Sequence, residues 1–119
     1  MQSPAKKGET RIMGLLNSYI ECLKTGDASR IKALFTKDAE LIDDALISLG
    51  KDPIHMRGRD SIEVFFRNIL KRGGLDVSNV AINGNAMRYY LNAGRRVMQC
   101  IGVVKKKNGL IQEYRVVAV

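Results

Sequence analysis

Apolar residues recur at intervals of three and four in three stretches of the chain, which is the period of one face of an α-helix. The first stretch stops at Gly26, a residue that commonly ends a helix in the left-handed conformation. Its apolar face consists of Ile12, Leu15, Leu16, Tyr19, Ile20 and Leu23. Asp27 is placed to cap a short second helix. The apolar positions of that helix are Ile31, Leu34 and Phe35.

A third helix is predicted after residue 58, where Asp60 and Glu63 have the spacing of a capping box. It is predicted to end at Gly73, and its apolar face consists of Ile62, Phe65, Phe66, Ile69 and Leu70. Between the second and third helices, residues 40–43 alternate weakly between apolar and polar. The glycine- and proline-containing segment that follows is predicted to be irregular, with a brief strand near His55.

From residue 76 the pattern changes to short runs of β-branched and aromatic residues, which are typical of strands. The runs cover residues 77–82, 87–91, 95–104 and 110–119. Turn sequences separate them, and two of these are Asn-Gly pairs that favour tight hairpins. Helices first and a sheet afterwards predict an α+β fold, in which the helices cover one face of a four-stranded antiparallel meander.

The length of 119 residues fits a single domain, which we place at residues 9–119 behind a flexible N-terminal tail of residues 1–8. The longest uncharged apolar run is far shorter than the ~20 residues of a membrane span. We therefore expect a cytoplasmic protein without membrane association. Cys22 and Cys100 have no paired spacing, which favours reduced thiols. His55 is the one histidine, so no metal site and no cofactor is expected.

The formal net charge of +8 first suggests a nucleic-acid partner. Residues 77–119 hold seven of the 20 basic residues but one of the 12 acidic ones. No RNA-binding aromatic motif, helix-turn-helix or zinc module accompanies this charge, so nucleic-acid binding is not expected. The three lysines at residues 105–107 are predicted at a hairpin tip. They form either a solvated turn or part of a surface for an acidic partner.

Five local motifs stand in a characteristic order along the chain. They are the helical stretch at residues 15–23, Gly26-Asp27, Ala33-Leu34-Phe35, Asp38-Ala39-Glu40 and residues 58–66. This order resembles the nuclear-transport-factor-2-like superfamily, and most closely its ketosteroid-isomerase and SnoaL-like polyketide-cyclase branches. The resemblance implies a cone-like barrel of a curved antiparallel sheet packed on three N-terminal helices. It also implies a pocket for a small hydrophobic molecule and a homodimer formed through the sheet.

On this resemblance, Tyr19 falls where the family has its oxyanion-stabilising tyrosine, and Asp43 falls where it has its general base. Such a pair suits removal of a proton next to a carbonyl group. The alternative is that Tyr19 belongs to the helix core and that Asp43 caps a turn. Candidates for the pocket lining, most of them assigned to the core, are Phe35, Phe65, Phe66, Met87, Tyr89, Met98 and Tyr114. Among these, the resemblance favours Phe35, Phe65 and Tyr114.

His55 is predicted near the pocket rim, either as a second proton carrier or as a surface histidine. The resembled family has a second oxyanion donor, a protonated aspartic acid on a late strand. Residues 77–112 contain neither Asp nor Glu. Loss of one oxyanion donor costs ~10² to 10³ in rate, so steroid isomerase activity is not expected.

Two functions therefore fit the sequence. One is an isomerase or cyclase that uses general acid/base chemistry on a hydrophobic carbonyl ligand. The other is a non-catalytic binding or assembly module whose basic sheet surface takes an acidic partner.

Overall fold

The computed structural model describes residues 7–45, 47, 50 and 52–118. In that part of the chain the helices are α1 (Lys7–Thr25), α2 (Ala28–Lys32) and α3 (Arg59–Ile69). The strands are β1 (Phe35–Asp43), β2 (Ile54–Arg57), β3 (Asp76–Asn83), β4 (Ala86–Ala93), β5 (Arg96–Lys107) and β6 (Leu110–Ala118). The predicted tail of residues 1–8 lies outside the described residues, apart from Lys7 and Gly8 in the first turn of α1. None of the described helices combines the length and apolar character that a membrane span requires.

The prediction for α1 is confirmed, because Gly26 follows its last residue with φ 80° and the described part of its apolar face is buried. The buried residues are Leu15, Leu16, Tyr19, Ile20 and Leu23. Asp27 caps α2 as predicted, and its Oδ1 accepts a hydrogen bond from the Arg30 amide at 3.1 Å. The predicted extent of α2 is wrong, since Phe35 is the first residue of β1. Phe35 is fully buried and pairs with Ile111 in β6, so long-range strand pairing overrides the local helical spacing.

α3 begins where it is predicted, but it ends at Ile69, with Leu70 as its C-cap, and not at Gly73. The predicted capping box is also wrong. The N-cap is Gly58, which has no side chain to offer, and its amide donates to the Ala39 carbonyl at 2.8 Å. Asp60 instead lies in the first turn of α3, where its carboxylate contacts the Lys32 ammonium at 2.8 Å. This ion pair joins α3 to α2, while Glu63 lies 3.8 Å from the same ammonium.

The six strands form one mixed sheet in the order β2-β1-β6-β5-β4-β3. The predicted antiparallel meander of β3 to β6 is confirmed, as is the brief strand near His55. The pairing of β1 with β6 is parallel and was not predicted. The sheet stays open, with β2 and β3 at its edges, so the predicted cone does not close into a barrel.

One face of the sheet packs against the helices, and we call it the inner face. Its side chains alternate along each strand with those of the outer face, as the pleat requires. The buried residues that this face contributes are Ala39, Leu41, Val77, Met87, Tyr89, Met98, Cys100, Val104, Tyr114 and Val116. Together with the buried sides of α1 and α3, they form the hydrophobic core of the described residues.

The end of α1 is fixed against the connection between α3 and β3. The Leu75 amide donates to the Leu23 carbonyl at 2.7 Å. A Cβ on Gly74 would overlap the Lys24 carbonyl oxygen, so the two backbones approach as closely as they do because residue 74 is glycine. This contact sets one end of the space between α1 and the inner face.

Gly102 provides the room for the largest fully buried side chain, Tyr114. Tyr114 lies on β6. Its ring lies over β5 at Gly102, where no side chain occupies the inner face. A Cβ on Gly102 would overlap the ring and hydroxyl of Tyr114. Because Tyr114 packs on Tyr19, with ring centroids 4.7 Å apart, this contact connects the sheet to α1.

We expect Gly102→Ala to lower the free energy of unfolding by about 1–3 kcal/mol, because the new methyl group overpacks the core against Tyr114. Urea unfolding followed by circular dichroism measures the change. Gly14→Ala is the matched control, since a Cβ on this residue of α1 meets nothing within 4 Å. That variant should be neutral or more stable by up to about 1 kcal/mol. Equal stability of Gly102→Ala and the wild type would contradict the close packing.

Candidate functional site

A cavity of about 190 Å³ lies between α1, α3 and the inner face of the sheet. The described residues that line it are Tyr19, Leu23, Asp43, Phe65, Phe66, Ile69, Leu75, Tyr89 and Leu91. Six of these nine side chains are apolar, and the other three are two phenols and one carboxylate. The cavity is therefore an apolar space with a small number of polar groups, which is the usual composition of a small-molecule site.

Asp43 is the last residue of β1, and its side chain is on the inner face. Its Oδ1 accepts a hydrogen bond from the Ala45 amide at 2.8 Å. Burial raises the pKa of Asp43, and the nearby Asp44 carboxylate adds to the rise, whereas the bond from Ala45 opposes it. Asp43 thus caps a turn, which is one of the two alternatives from the sequence, and it also lines the cavity, while its role as a general base stays a prediction.

Tyr19 is on the inner stripe of α1, and its ring is held on two sides by aromatic contacts. The centroid of Tyr114 is at 4.7 Å and that of Phe66 is at 5.9 Å in an edge-on arrangement. Burial raises the pKa of the Tyr19 hydroxyl well above its ordinary value, and Tyr114 and Asp43 raise it further. The hydroxyl therefore stays protonated and is available as a hydrogen-bond donor.

Tyr89 on β4 is the third polar group of the cavity wall, and the sequence did not single it out from the core candidates. Burial raises the pKa of its hydroxyl, and Tyr19, Cys100 and Asp43 raise it further. The alternation of Met87, Tyr89 and Leu91 in β4 is the sequence signal that could have placed Tyr89 on the buried face. That signal did not distinguish residues that meet the cavity from residues that pack in the core.

Two of the predicted lining residues, Phe35 and Tyr114, do not line the cavity. Phe35 is fully buried at the start of β1, at the opposite end of that strand from Asp43. Tyr114 is also fully buried and lies behind Tyr19. Its Oη has no hydrogen-bond partner among the described residues, although the Tyr89 hydroxyl is near enough to raise its pKa beyond the effect of burial. Phe65 does line the cavity, beside Phe66.

His55 lies on β2, away from the cavity that the sequence assigned to it. It is paired with Ile42, whereas Ile54 is paired with Asp43, so the His55 side chain is on the outer face. Its Nε2 lies 2.8 Å from Glu40 Oε2, and its side chain is 62% exposed. Hydrogen bonds from His55 and Arg57 lower the pKa of Glu40. His55 thus belongs to a surface contact with Glu40 and is not among the described residues that line the cavity.

Both cysteines are buried free thiols. Burial raises the pKa of Cys22, and it raises the pKa of Cys100 to about 11. Neither sulfur is a thiolate near neutral pH, so neither is an activated nucleophile. No group of three His, Cys, Asp or Glu side chains in the described part of the chain is arranged to hold a metal ion.

Several solved structures are similar to this one. An NTF2-like protein of unknown function from Mesorhizobium loti matches with a TM-score of 0.76 at 10% identity, over 97% of this chain and 96% of that one. A protein named as a candidate ketosteroid isomerase from Kribbella flavida matches with a TM-score of 0.69 at 14% identity, over 97% and 82% of the two chains. An LEH-like epoxide hydrolase from M. tuberculosis matches with a TM-score of 0.64 at 19% identity, over 93% of this chain and 84% of that one.

No protein-family model and no curated protein matches the sequence. At identities this low, the structural similarity establishes the fold and nothing finer. The chain has the α+β fold of the nuclear-transport-factor-2-like superfamily, as the resemblance implied.

We expect Asp43→Asn to remove a pH-dependent cost to stability. Because the pKa of Asp43 is raised above 3.8 in the folded protein, its ionised form is less favourable there than in the unfolded chain. The cost is absent well below pH 3.8, where both states are protonated. It grows between pH 3.8 and the folded pKa, and it is constant above the folded pKa. At pH 7 the melting temperature of the Asn variant should equal or exceed that of the wild type.

The control is Asp43→Ala, which also removes the acceptor for the Ala45 amide and should be about 1 kcal/mol less stable than Asp43→Asn at every pH. Thermal unfolding by circular dichroism between pH 4 and pH 8 measures both variants. An Asn variant that loses stability relative to the wild type as the pH rises would contradict the direction of the Asp43 pKa shift.

Proposed function

We propose that this protein binds a small, hydrophobic carbonyl compound in the cavity and moves a proton at the carbon next to the carbonyl group. Asp43 is the general base, and Tyr19 donates a hydrogen bond to the carbonyl oxygen. The observation that carries the proposal is that a carboxylate of raised pKa and a protonated phenol line one apolar cavity. The names of two proteins of this fold, a candidate ketosteroid isomerase and an epoxide hydrolase, are consistent with an enzymatic role.

The proposed reaction begins when the Asp43 carboxylate takes the α-proton and the electrons of the C–H bond pass to the carbonyl oxygen. The Tyr19 hydroxyl stabilises the enolate that forms. In an isomerisation, the protonated Asp43 returns the proton to another carbon of the conjugated system, and the carbonyl group re-forms. The carboxylate is then ionised again, so no cofactor takes part.

Two properties of Asp43 suit it to this role. Burial makes its carboxylate a stronger base than an exposed aspartate, which favours removal of a weakly acidic proton. The Ala45 amide holds Oδ1, so the carboxylate has a fixed orientation at the end of β1. Among the described residues no hydrogen bond to the second oxygen is seen, and in the proposed reaction this oxygen takes the substrate proton.

We expect Asp43→Asn to reduce kcat by ~10² to 10⁴ for any substrate found, because the amide cannot accept the proton. Tyr19→Phe should reduce kcat by ~10² to 10³. A suitable measurement is NMR-detected exchange of α-protons for solvent deuterium, with cyclohexanone and a β,γ-unsaturated steroid ketone as test compounds. Asp38→Asn is the matched control, since this carboxylate of the same strand is exposed and does not line the cavity, and its loss should leave exchange unchanged. Full activity of Asp43→Asn would refute the assignment of the base.

We also propose that two copies of the chain pair through the outer face. Val97, Val103 and Val117 are 61%, 42% and 39% exposed on this face, which is unusual for large apolar side chains clustered on one sheet. Ile101 lies between Val117 and Arg88 in the strand register and extends the same patch.

Val103→Glu is expected to shift the molecular mass measured by analytical ultracentrifugation from that of a dimer to that of a monomer. Val64→Glu is the control, because Val64 is 53% exposed on α3 and away from the sheet. A monomeric wild type would contradict the proposed dimer. The outer face would then be free for the other function considered from the sequence, the binding of an acidic partner.

A further inference from the structure

We infer that the ligand of the cavity is a neutral, single-ring carbonyl compound, and that its oxygen lies between the hydroxyls of Tyr19 and Tyr89. This inference rests on the proposed function and narrows it in two ways. It sets the size and charge of the ligand, and it assigns Tyr89 as a second hydrogen-bond donor.

The size follows from the volume of the cavity. At about 190 Å³ it lies below the roughly 300 to 1,000 Å³ of pockets that hold drug-sized ligands. An apolar protein cavity of about 150 Å³ is known to hold benzene. One six-membered ring with a carbonyl group therefore fits this space, whereas a four-ring skeleton does not.

The walls determine where a larger ligand would collide. Leu23 and Leu75 close one end, where the hydrogen bond between their backbones fixes α1 against β3. Tyr89 and Leu91 form the floor on β4. Ile69 is 41% exposed, so the opening to solvent is on the α3 side of the cavity. A second fused ring would have to extend past Ile69 into water and would lose most of its apolar burial.

The charge of the ligand follows from the lining. Of the described residues that line the cavity, none is Lys, Arg or His, and one is a carboxylate. A ligand with a phosphate or carboxylate group would be buried without a cation and beside Asp43, which is strongly unfavourable. A ketone or enone carries no such charge and gains from two phenol donors.

Tyr89 suits the role of second donor because of its position and its protonation. Tyr19 belongs to α1 and Tyr89 to β4, so the two phenols approach the cavity from the helical layer and from the sheet. The raised pKa of each hydroxyl keeps its proton in place for donation.

In this inference Tyr89 takes the place of the second oxyanion donor of the resembled family, which is a protonated aspartic acid. Residues 77–112 contain no such acid. A phenol is neutral at physiological pH without any assistance from its surroundings. A buried aspartic acid must first be kept protonated by the same apolar environment.

The test is calorimetric titration of the full chain with cyclohex-2-enone, with a fused two-ring enone and with a four-ring steroid enone. We expect cyclohex-2-enone to bind at least about tenfold more tightly than either fused-ring compound. Tyr89→Phe should weaken its binding by about tenfold, the upper range for one neutral hydrogen bond. Tyr90→Phe is the matched control, because Tyr90 is the next residue of β4 and lies on the outer face. This variant should bind cyclohex-2-enone as tightly as the wild type does.

Leu91→Ala gives a second readout that does not depend on Tyr89. The enlarged cavity should accept the two-ring enone and reduce the preference for the single ring, provided that circular dichroism shows a folded protein. Equal binding of the single-ring and fused-ring enones to the wild type would overturn the size assignment. Absence of binding by cyclohex-2-enone would do the same. Unchanged binding in Tyr89→Phe would overturn the role of Tyr89.

Failure of this inference can be told apart from failure of the proposed function. Titration requires no turnover, so single-ring binding without solvent-deuterium exchange in cyclohexanone supports the ligand class and refutes the proposed chemistry. Exchange in the steroid ketone without binding of cyclohex-2-enone refutes the ligand class and leaves the proposed chemistry standing.

Discussion

β1 pairs in parallel with β6, and this pairing brings the first third of the chain against the last strand. Backbone hydrogen bonds fix it at both ends, from the Ile111 amide to the Leu34 carbonyl and from the Asp44 amide to the Val116 carbonyl, each at 2.8 Å. Because β1 has neighbours on both sides, its register is closely determined. A shift by one residue would turn Asp43 to the outer face and remove the carboxylate from the cavity.

The candidate site depends equally on a layer of aromatic packing behind it. Tyr114 lies across Gly102 and supports Tyr19, and Phe66 supports Tyr19 from α3. These contacts exclude water from the phenols and from part of Asp43. The same exclusion raises the pKa of each group, so the packing that stabilises the fold also determines the acid/base properties of the site.

Local pattern was sufficient to predict α1, α3 and the meander of β3 to β6, because periodicity and turn residues lie within each segment. It failed at Phe35, whose partner Ile111 is distant in sequence, and at Asp60, which pairs with Lys32 in another helix. The family resemblance, and not the pattern, selected Tyr19 and Asp43. Alternation within β4 could have assigned Tyr89 to the buried face, but which part of that face the helices leave open is a property of the assembled fold.

The distribution of charge gives the site its chemical character. The basic excess of the late strands lies on the outer face and at hairpin ends, as with Arg88, Arg115 and the lysines at 105–107. A cation on the cavity wall would stabilise an enolate, but it would also lower the pKa of Asp43 and weaken the base. In the proposed reaction two neutral phenols avoid this conflict, because they donate hydrogen bonds without adding positive charge. The described lining thus contains no basic residue that would lower the pKa of Asp43, and burial in the same cavity raises that pKa.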